Sequence, residues 1–384
     1  MSKKSPLLNS GLGWVYISNE ERKKTSELLD ALLEEHRTVD VIGISPIRDW
    51  FSDQLFPGFS TAQRRVKYFI QVPKALQELA KENRSSKRKE VEKLLHDKEW
   101  KFVKSLIENN AQKKETGIIG SRNYGQKILT RYPSELYWSG LVTTGIITNK
   151  ETSLNKIFTK LAQYKNGEDD NQSPVSCLDM NVDILKLKWD PSRIKLNRYE
   201  AEYLYKIFVK GEKTKNSLTS LFLKTKKCPR NFYSLEKKNF GENKELYKLW
   251  KRAANFGEFI HGAHLIYNYC LTKEREYKTE YEGWLKKFNY KIDELNGLPR
   301  NTKKAVNFVK EFYNCVCEDK NANSDHENVI KCIKKRELEV KREQAKLAKG
   351  IVSDKPEYTN KLPYRFDVVK KACEDILEGL KEHG

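Results

Sequence analysis

The stretch NKELYKLWKRAANFGEFIHGAHLIYNYCLTKE, residues 243–274, decides the fold class. It is the longest apolar helical pattern in the chain. Ala253, Ala254, Gly257, Gly262 and Ala263 leave room for a second helix to pack closely against it. The same periodicity recurs on both sides. NRYEAEYLYKIFVKG opens on an Asn cap and closes at Gly211. YPSELYWSGLVTTGI predicts a helix from Ser134 to about Gly145, and NEERKKTSELLDALLEEH carries a narrow stripe at Leu28, Leu29, Leu32 and Leu33. Glu20 and Glu21 fit the dipole at that helix start. Segments 303–319, 326–349 and 364–382 complete the helical set. Only TGIIGSRNYGQ, 116–126, is punctuated by glycine as a strand and turn would be. The expected fold is mainly α: multi-helix domains with a small β or strand-turn element near 116–130, and a further candidate near 14–17. The polar, breaker-rich KNGEDDNQSPVS suggests a linker over 166–180. It would divide an N-terminal domain, 1–165, from a basic helical domain, 181–384.

Charge is the strongest functional signal. The 384 residues hold 73 Lys plus Arg against 53 Asp plus Glu, a net charge of +20. Such an excess predicts a polyanionic partner, nucleic acid first and an anionic membrane surface second. No apolar run is long enough to span a bilayer, and the start of the sequence lacks an apolar leader core, so a cytoplasmic location is expected. Seven scattered cysteines read as reduced thiols. Cys315 and Cys317 form a C-x-C with no second Cys or His pair at zinc spacing, so no metal and no cofactor is predicted.

Half of the net charge lies between Lys206 and Arg252, where 14 Lys or Arg face 4 Asp or Glu. The centre, LKTKKCPRNFYSLEKKN, has no clean helical period. Lys224, Lys226, Lys227, Arg230, Lys237 and Lys238 are therefore expected on an exposed, phosphate-contacting loop. The aromatics of this segment fit either core packing or base stacking.

A second block, ISPIRDWFSDQLFPGFSTAQRRVKYFIQVP, residues 44–73, sets carboxylates beside cations. Ser45 and Pro46 read as N-cap and first turn of a short helix. Phe56-Pro57-Gly58 ends it, and Ser60 or Thr61 starts the next. Asp49 and Asp53 lie one turn apart. Both fit structural roles, Asp49 paired to Arg64 or Arg65 and Asp53 at the surface. The structural reading is the commoner one for such a cluster, and catalysis on a sugar is the alternative. Breaking an N-glycosidic bond builds positive charge on the sugar, which a carboxylate stabilises, while the base is flipped from its stack. On that reading Asp49 or Asp53 is catalytic. Arg48, Arg64, Arg65, Lys67 and Arg122 would hold DNA together with the 224–230 loop. Trp50, Tyr68, Trp138, His261 and Asn268 would wall the base pocket.

GLGWVYISNEERKK, DVIGISPIRDWFSDQLFPGFSTAQRRVKYFIQVP, TGIIGS, RYPSELYWSGLVTTGI, HGAHLIYNYCL and LPYRFDVVKKACEDILEGL span Gly11 to Leu380. In this order they resemble the blocks of a bacterial anti-phage family that long carried only an unknown-function label. The resemblance implies a DNA glycosylase that excises glucosylated 5-hydroxymethylcytosine from T-even-type phage DNA. It transfers no catalytic residue. Lys74 stands where that family tends to have Trp. The expected partner is double-stranded phage DNA, with no membrane and no obligate protein partner. Two other functions fit the charge: a non-catalytic DNA sensor, and a metal-dependent nuclease, for which no D-E-x-K or H-N-H arrangement is present.

Overall fold

Several helices begin where a side chain accepts the unpaired N–H groups of the first turn. Asn197 accepts from Glu200 N while Glu200 accepts from Asn197 N, a reciprocal capping box. Asn243 caps the long apolar helix through Leu246 N. A computed structural model describes residues 40–82, 85–110, 116–121, 129–164, 174–321, 325–358 and 360–382.

Among the described residues there are thirteen α-helices: α1 (Ser45–Leu55), α2 (Tyr68–Glu82), α3 (Arg88–Asn110), α4 (Pro133–Thr143), α5 (Leu154–Tyr164), α6 (Val182–Lys186), α7 (Arg198–Lys210), α8 (Leu218–Thr225), α9 (Lys244–Thr272), α10 (Arg275–Lys287), α11 (Lys303–Asn321), α12 (Glu327–Lys341) and α13 (Phe366–Gly379). The fold is mainly α, helix packed on helix. α9 is central: α1, α10 and α12 all pack on it. Its glycines permit the close approach expected of them. A Cβ on Gly257 would lie 2.1 Å from the Tyr233 hydroxyl, and one on Gly262 would lie 2.6 Å from the Trp284 ring.

Three expectations need correction. No strand occurs among the described residues, only an isolated bridge between Ile147 and Met180. Residues 116–121 form no strand and turn at 119–120, with Gly117 and Gly120 at φ +81° and +76°; residues 122–128 and 14–17 lie outside the described part. Ser45 is not the cap of α1: the Asp40 carboxylate accepts from Ile44 N at 2.8 Å and Ser45 N at 2.5 Å. The helix after Gly58 starts at Tyr68, not at Ser60. Gln63 takes up the Ser60 N–H, and Tyr137 Oη donates to Arg65 O at 2.7 Å, so 60–67 is held as turns. Residues 40–384 group as one compact unit, and of the segment 166–180 the structure describes 174–180. Buried ion pairs join the two sides, Lys67 to Glu200 and Arg65 to Asp375.

Two buried titratable groups make stability pH-dependent. Glu99 accepts from Ser134 N at 2.6 Å and Ser134 Oγ at 3.0 Å, yet burial outweighs both bonds and raises its carboxyl to about 8. Burial lowers His264 to about 3. A folded value above the unfolded one loses stability as pH rises between the two, so Glu99 weakens the fold from about pH 4.5 to 8. His264 weakens it as pH falls from 6.5 towards 3. Glu99→Gln is therefore expected to gain on the wild type in urea midpoint as pH rises from 5 to 8. A gap independent of pH would show that Glu99 titrates normally.

Candidate functional site

Phe56-Pro57-Gly58-Phe59 turns the chain sharply after α1. Phe59 N donates to Phe56 O at 3.2 Å, and Gly58 sits at φ +87°, the Pro-Gly centre of a type II turn. The turn lies against α4 with no room to spare: a Cβ on Gly140 would come within 2.5 Å of Gly58 O. Gln63 fastens the two together by donating to Leu136 O at 3.0 Å. Between turn and helix opens a cleft of about 480 Å³. Its polar lining includes Asp53, Gln54, Ser60, Gln63, Ser139 and Lys213, with Thr143 beside them.

Asp53 is the exposed carboxylate of this cleft, its side chain 64% accessible. Arg365, which leads into α13, donates to it at 2.6 Å and to Phe59 O at 2.7 Å. Asp49 lies outside the cleft lining and is taken up by its neighbour: Arg48 reaches it at 3.0 Å. The predicted partners of Asp49, Arg64 and Arg65, are not the ones it has.

Lys224, Lys226, Lys227, Arg230, Lys237 and Lys238 are all exposed, but Lys224 belongs to the last turn of α8 and Lys237 and Lys238 to a short 3-10 turn, so only part of the expected loop is irregular. Lys227, Arg230 and Lys238 edge a second cavity of about 630 Å³. This basic loop adjoins the turn that forms the cleft. Phe232 of the loop meets Phe56 edge-on, with ring centres 6.4 Å apart. α13 joins the two as well: Lys370, five residues after Arg365, donates to Arg230 O at 3.4 Å. The polar cleft, through Arg365, and the basic segment, through Lys370, are thus both tied to α13.

The remaining predicted residues divide. Arg64 is exposed beside the cleft-forming turn. Arg65, Lys67, Tyr68 and Asn268 are buried and belong to the framework. Arg65 donates to Asp375 at 2.9 Å and to Thr116 O at 3.0 Å. Lys67 pairs with Glu200 at 2.6 Å. Tyr68 Oη accepts from Ile119 N, and Asn268 binds the backbone of Glu357 and Tyr358. Trp138 is half-buried and donates to Thr152 O; Trp50 lies under Arg252 at 5.9 Å. His261 lines a third cavity, between α9 and α10. Arg122 lies outside the described residues. Among the described residues no group of three or more His, Cys, Asp or Glu is arranged to hold a metal, and no helix is long and apolar enough to cross a membrane. Arg365 and Lys213 were not foreseen. Arg365 stands in the LPYRFDVVKK block that the resemblance had already marked, which was the available signal.

Residues 9–276 match the model of a family described as being of unknown function. The chain belongs to DUF6361. Neither a curated protein nor a solved structure matches it. The span shared with DUF6361 contains the whole lining of the Asp53 cleft and the whole basic loop, while Arg365 lies beyond it. Membership of DUF6361 brings no activity with it, so the chemistry rests on the side chains.

Proposed function

We propose that this chain is a DNA glycosylase. It hydrolyses the N-glycosidic bond of a glucosylated, hydroxymethylated cytosine in phage DNA and leaves an abasic site, as an anti-phage defence. The observation that carries the reading is the exposed carboxylate of Asp53 in a polar cleft lined by Lys213, whose flanking turn touches the basic segment 224–238 through Phe56 and Phe232. The choice of base rests on the sequence resemblance. The cations bind backbone phosphates irrespective of sequence. Asp53 faces the sugar, stabilises the charge that develops at C1′ as the base departs, and orients the water that takes its place. The base leaves with a proton and the water's hydroxyl stays on C1′. Lys213 and Arg365, beside Asp53, lie within reach of the flanking phosphates.

The test uses purified protein with glucosylated-hydroxymethylcytosine DNA and with plain DNA, with and without EDTA, followed by alkali. Alkali-dependent breaks in the modified DNA alone, unchanged by EDTA, are expected. Direct breaks that need Mg²⁺ would replace the reading with a nuclease. Retained binding without breaks would replace it with a sensor, which the same basic loop would serve.

The loop gives its own prediction. Replacing Lys226, Lys227 and Arg230 together with Gln should weaken DNA binding across all sequences. It should lower the slope of log K against log salt by ~0.9 for each phosphate that is no longer neutralised. An unchanged slope would move the DNA surface elsewhere.

A further inference from the structure

The cavity between α9 and α10, about 620 Å³, lies outside the Asp53 cleft. Its walls are aromatic. Trp284 is pinned in place, its Nε1 donating to Glu258 O at 2.8 Å and its ring lying on the bare face of Gly262. Phe288 meets Trp284 with ring centres 5.4 Å apart. Tyr290 stacks on Phe259 at 4.4 Å with the planes only 11° apart. Around these rings stand Asn255, His261 and Glu280, which offer donors and acceptors.

One position argues that the space is kept open. Gly283 lies inside α10 and lines this cavity, and a Cβ built on it would meet nothing within 4 Å. Packing does not require glycine here, and no left-handed backbone does. Glycine inside a helix costs about 1 kcal/mol relative to alanine. The chain bears that cost and leaves the aromatic floor uncovered.

The mouth is tied to the basic loop. Lys361 lines the cavity, pairs with Glu258 at 2.6 Å and lies 5.5 Å over the ring of Tyr233. Tyr233 is the residue after Phe232, which meets Phe56, and its hydroxyl donates to Leu362 O. The basic segment and the cavity lining are therefore in contact through Tyr233 and Lys361.

We propose that this cavity receives an unstacked nucleobase of the bound DNA strand, with the ring on the Trp284–Phe288 platform and the polar edge towards His261, Asn255 and Glu280. The proposal rests on DNA being the partner of the basic loop, and it adds a base contact separate from the Asp53 cleft. Burial and the nearby Lys361 ammonium push the His261 pKa down. The ring is then neutral and has both a donor and an acceptor nitrogen for a base edge.

The experiment measures binding of a single-stranded dC hexamer to the full chain over a range of salt, with wild type, Gly283→Ala, Gly283→Leu and the Lys226/Lys227/Arg230 triple variant. Gly283→Leu should fill the cavity and weaken binding at least ~5-fold, the low end for loss of one base–aromatic stack. Its salt slope should be unchanged, because no phosphate contact is touched. Its melting temperature should equal or exceed that of the wild type, and Gly283→Ala should be stabilised with a smaller loss of affinity. Wild-type affinity in a folded Gly283→Leu, with binding lost in the triple variant, overturns the cavity proposal and leaves the DNA reading standing. No hexamer binding by the wild type overturns both.

Discussion

Asp53→Asn is expected to reduce base excision at least ~100-fold while leaving the fold intact, the scale seen when one electrostatic stabiliser of a transition-state charge is removed. The substitution keeps the size of the side chain and removes its charge. Its partner does not become a buried orphan, because Arg365 still donates to Phe59 O. The pair itself is solvent-exposed on the carboxylate side and adds at most about 1 kcal/mol. DNA affinity should hold or rise slightly as repulsion from the phosphates disappears. Asp49→Asn is the comparison: its carboxylate lies outside the cleft lining, so excision should stay near the wild-type rate. Single-turnover excision and a melting curve for each variant separate the cases. If Asp49→Asn loses turnover and Asp53→Asn keeps it, the roles are reversed and the cleft is not the reaction site.

What the sequence shows of this fold and site follows from the range of the forces involved. Helix caps are local, so Asn197 with Glu200 and the stop at Gly211 are readable from a few neighbours. The exposure of Lys226, Lys227 and Arg230 is readable because no apolar period competes with it. Partners are not local. Arg48, Arg64, Arg65 and Lys67 are cations of one motif, yet one pairs with its neighbour, one is exposed, and two are buried. The counter-charges of the buried two, Glu200 and Asp375, lie 133 and 310 residues away. The same holds for Asp53 and Arg365. The aromatic cavity falls between these cases. Trp284 and Phe288 are i,i+4 neighbours and share a helix face by spacing alone. That this face borders a cavity depends on the empty position at Gly283 and on α9 opposite.

Lys67 gives the sharpest contrast between a DNA contact and a structural strut. Its side chain is 1% accessible and its partner Glu200 is fully buried. Glu200 also accepts from the N–H groups of Asp190 and Asn197, so the carboxylate holds the loop before α7 and the start of that helix together. Burial lowers the Lys67 pKa, and Glu200 opposes the shift. Lys67→Met removes one partner and leaves a buried carboxylate uncompensated. The expected loss is ~3–5 kcal/mol, a large share of the 5–15 kcal/mol that holds a typical domain folded. Adding Glu200→Gln removes the stranded charge and should recover part of that loss, which the double-mutant cycle in urea measures. A phosphate-binding lysine would behave in the opposite way. The single variant would unfold at the wild-type urea midpoint, bind DNA more weakly and show a flatter salt dependence by ~0.9. A wild-type midpoint together with that flattened slope would return Lys67 to the DNA surface and show that the buried pair does not form.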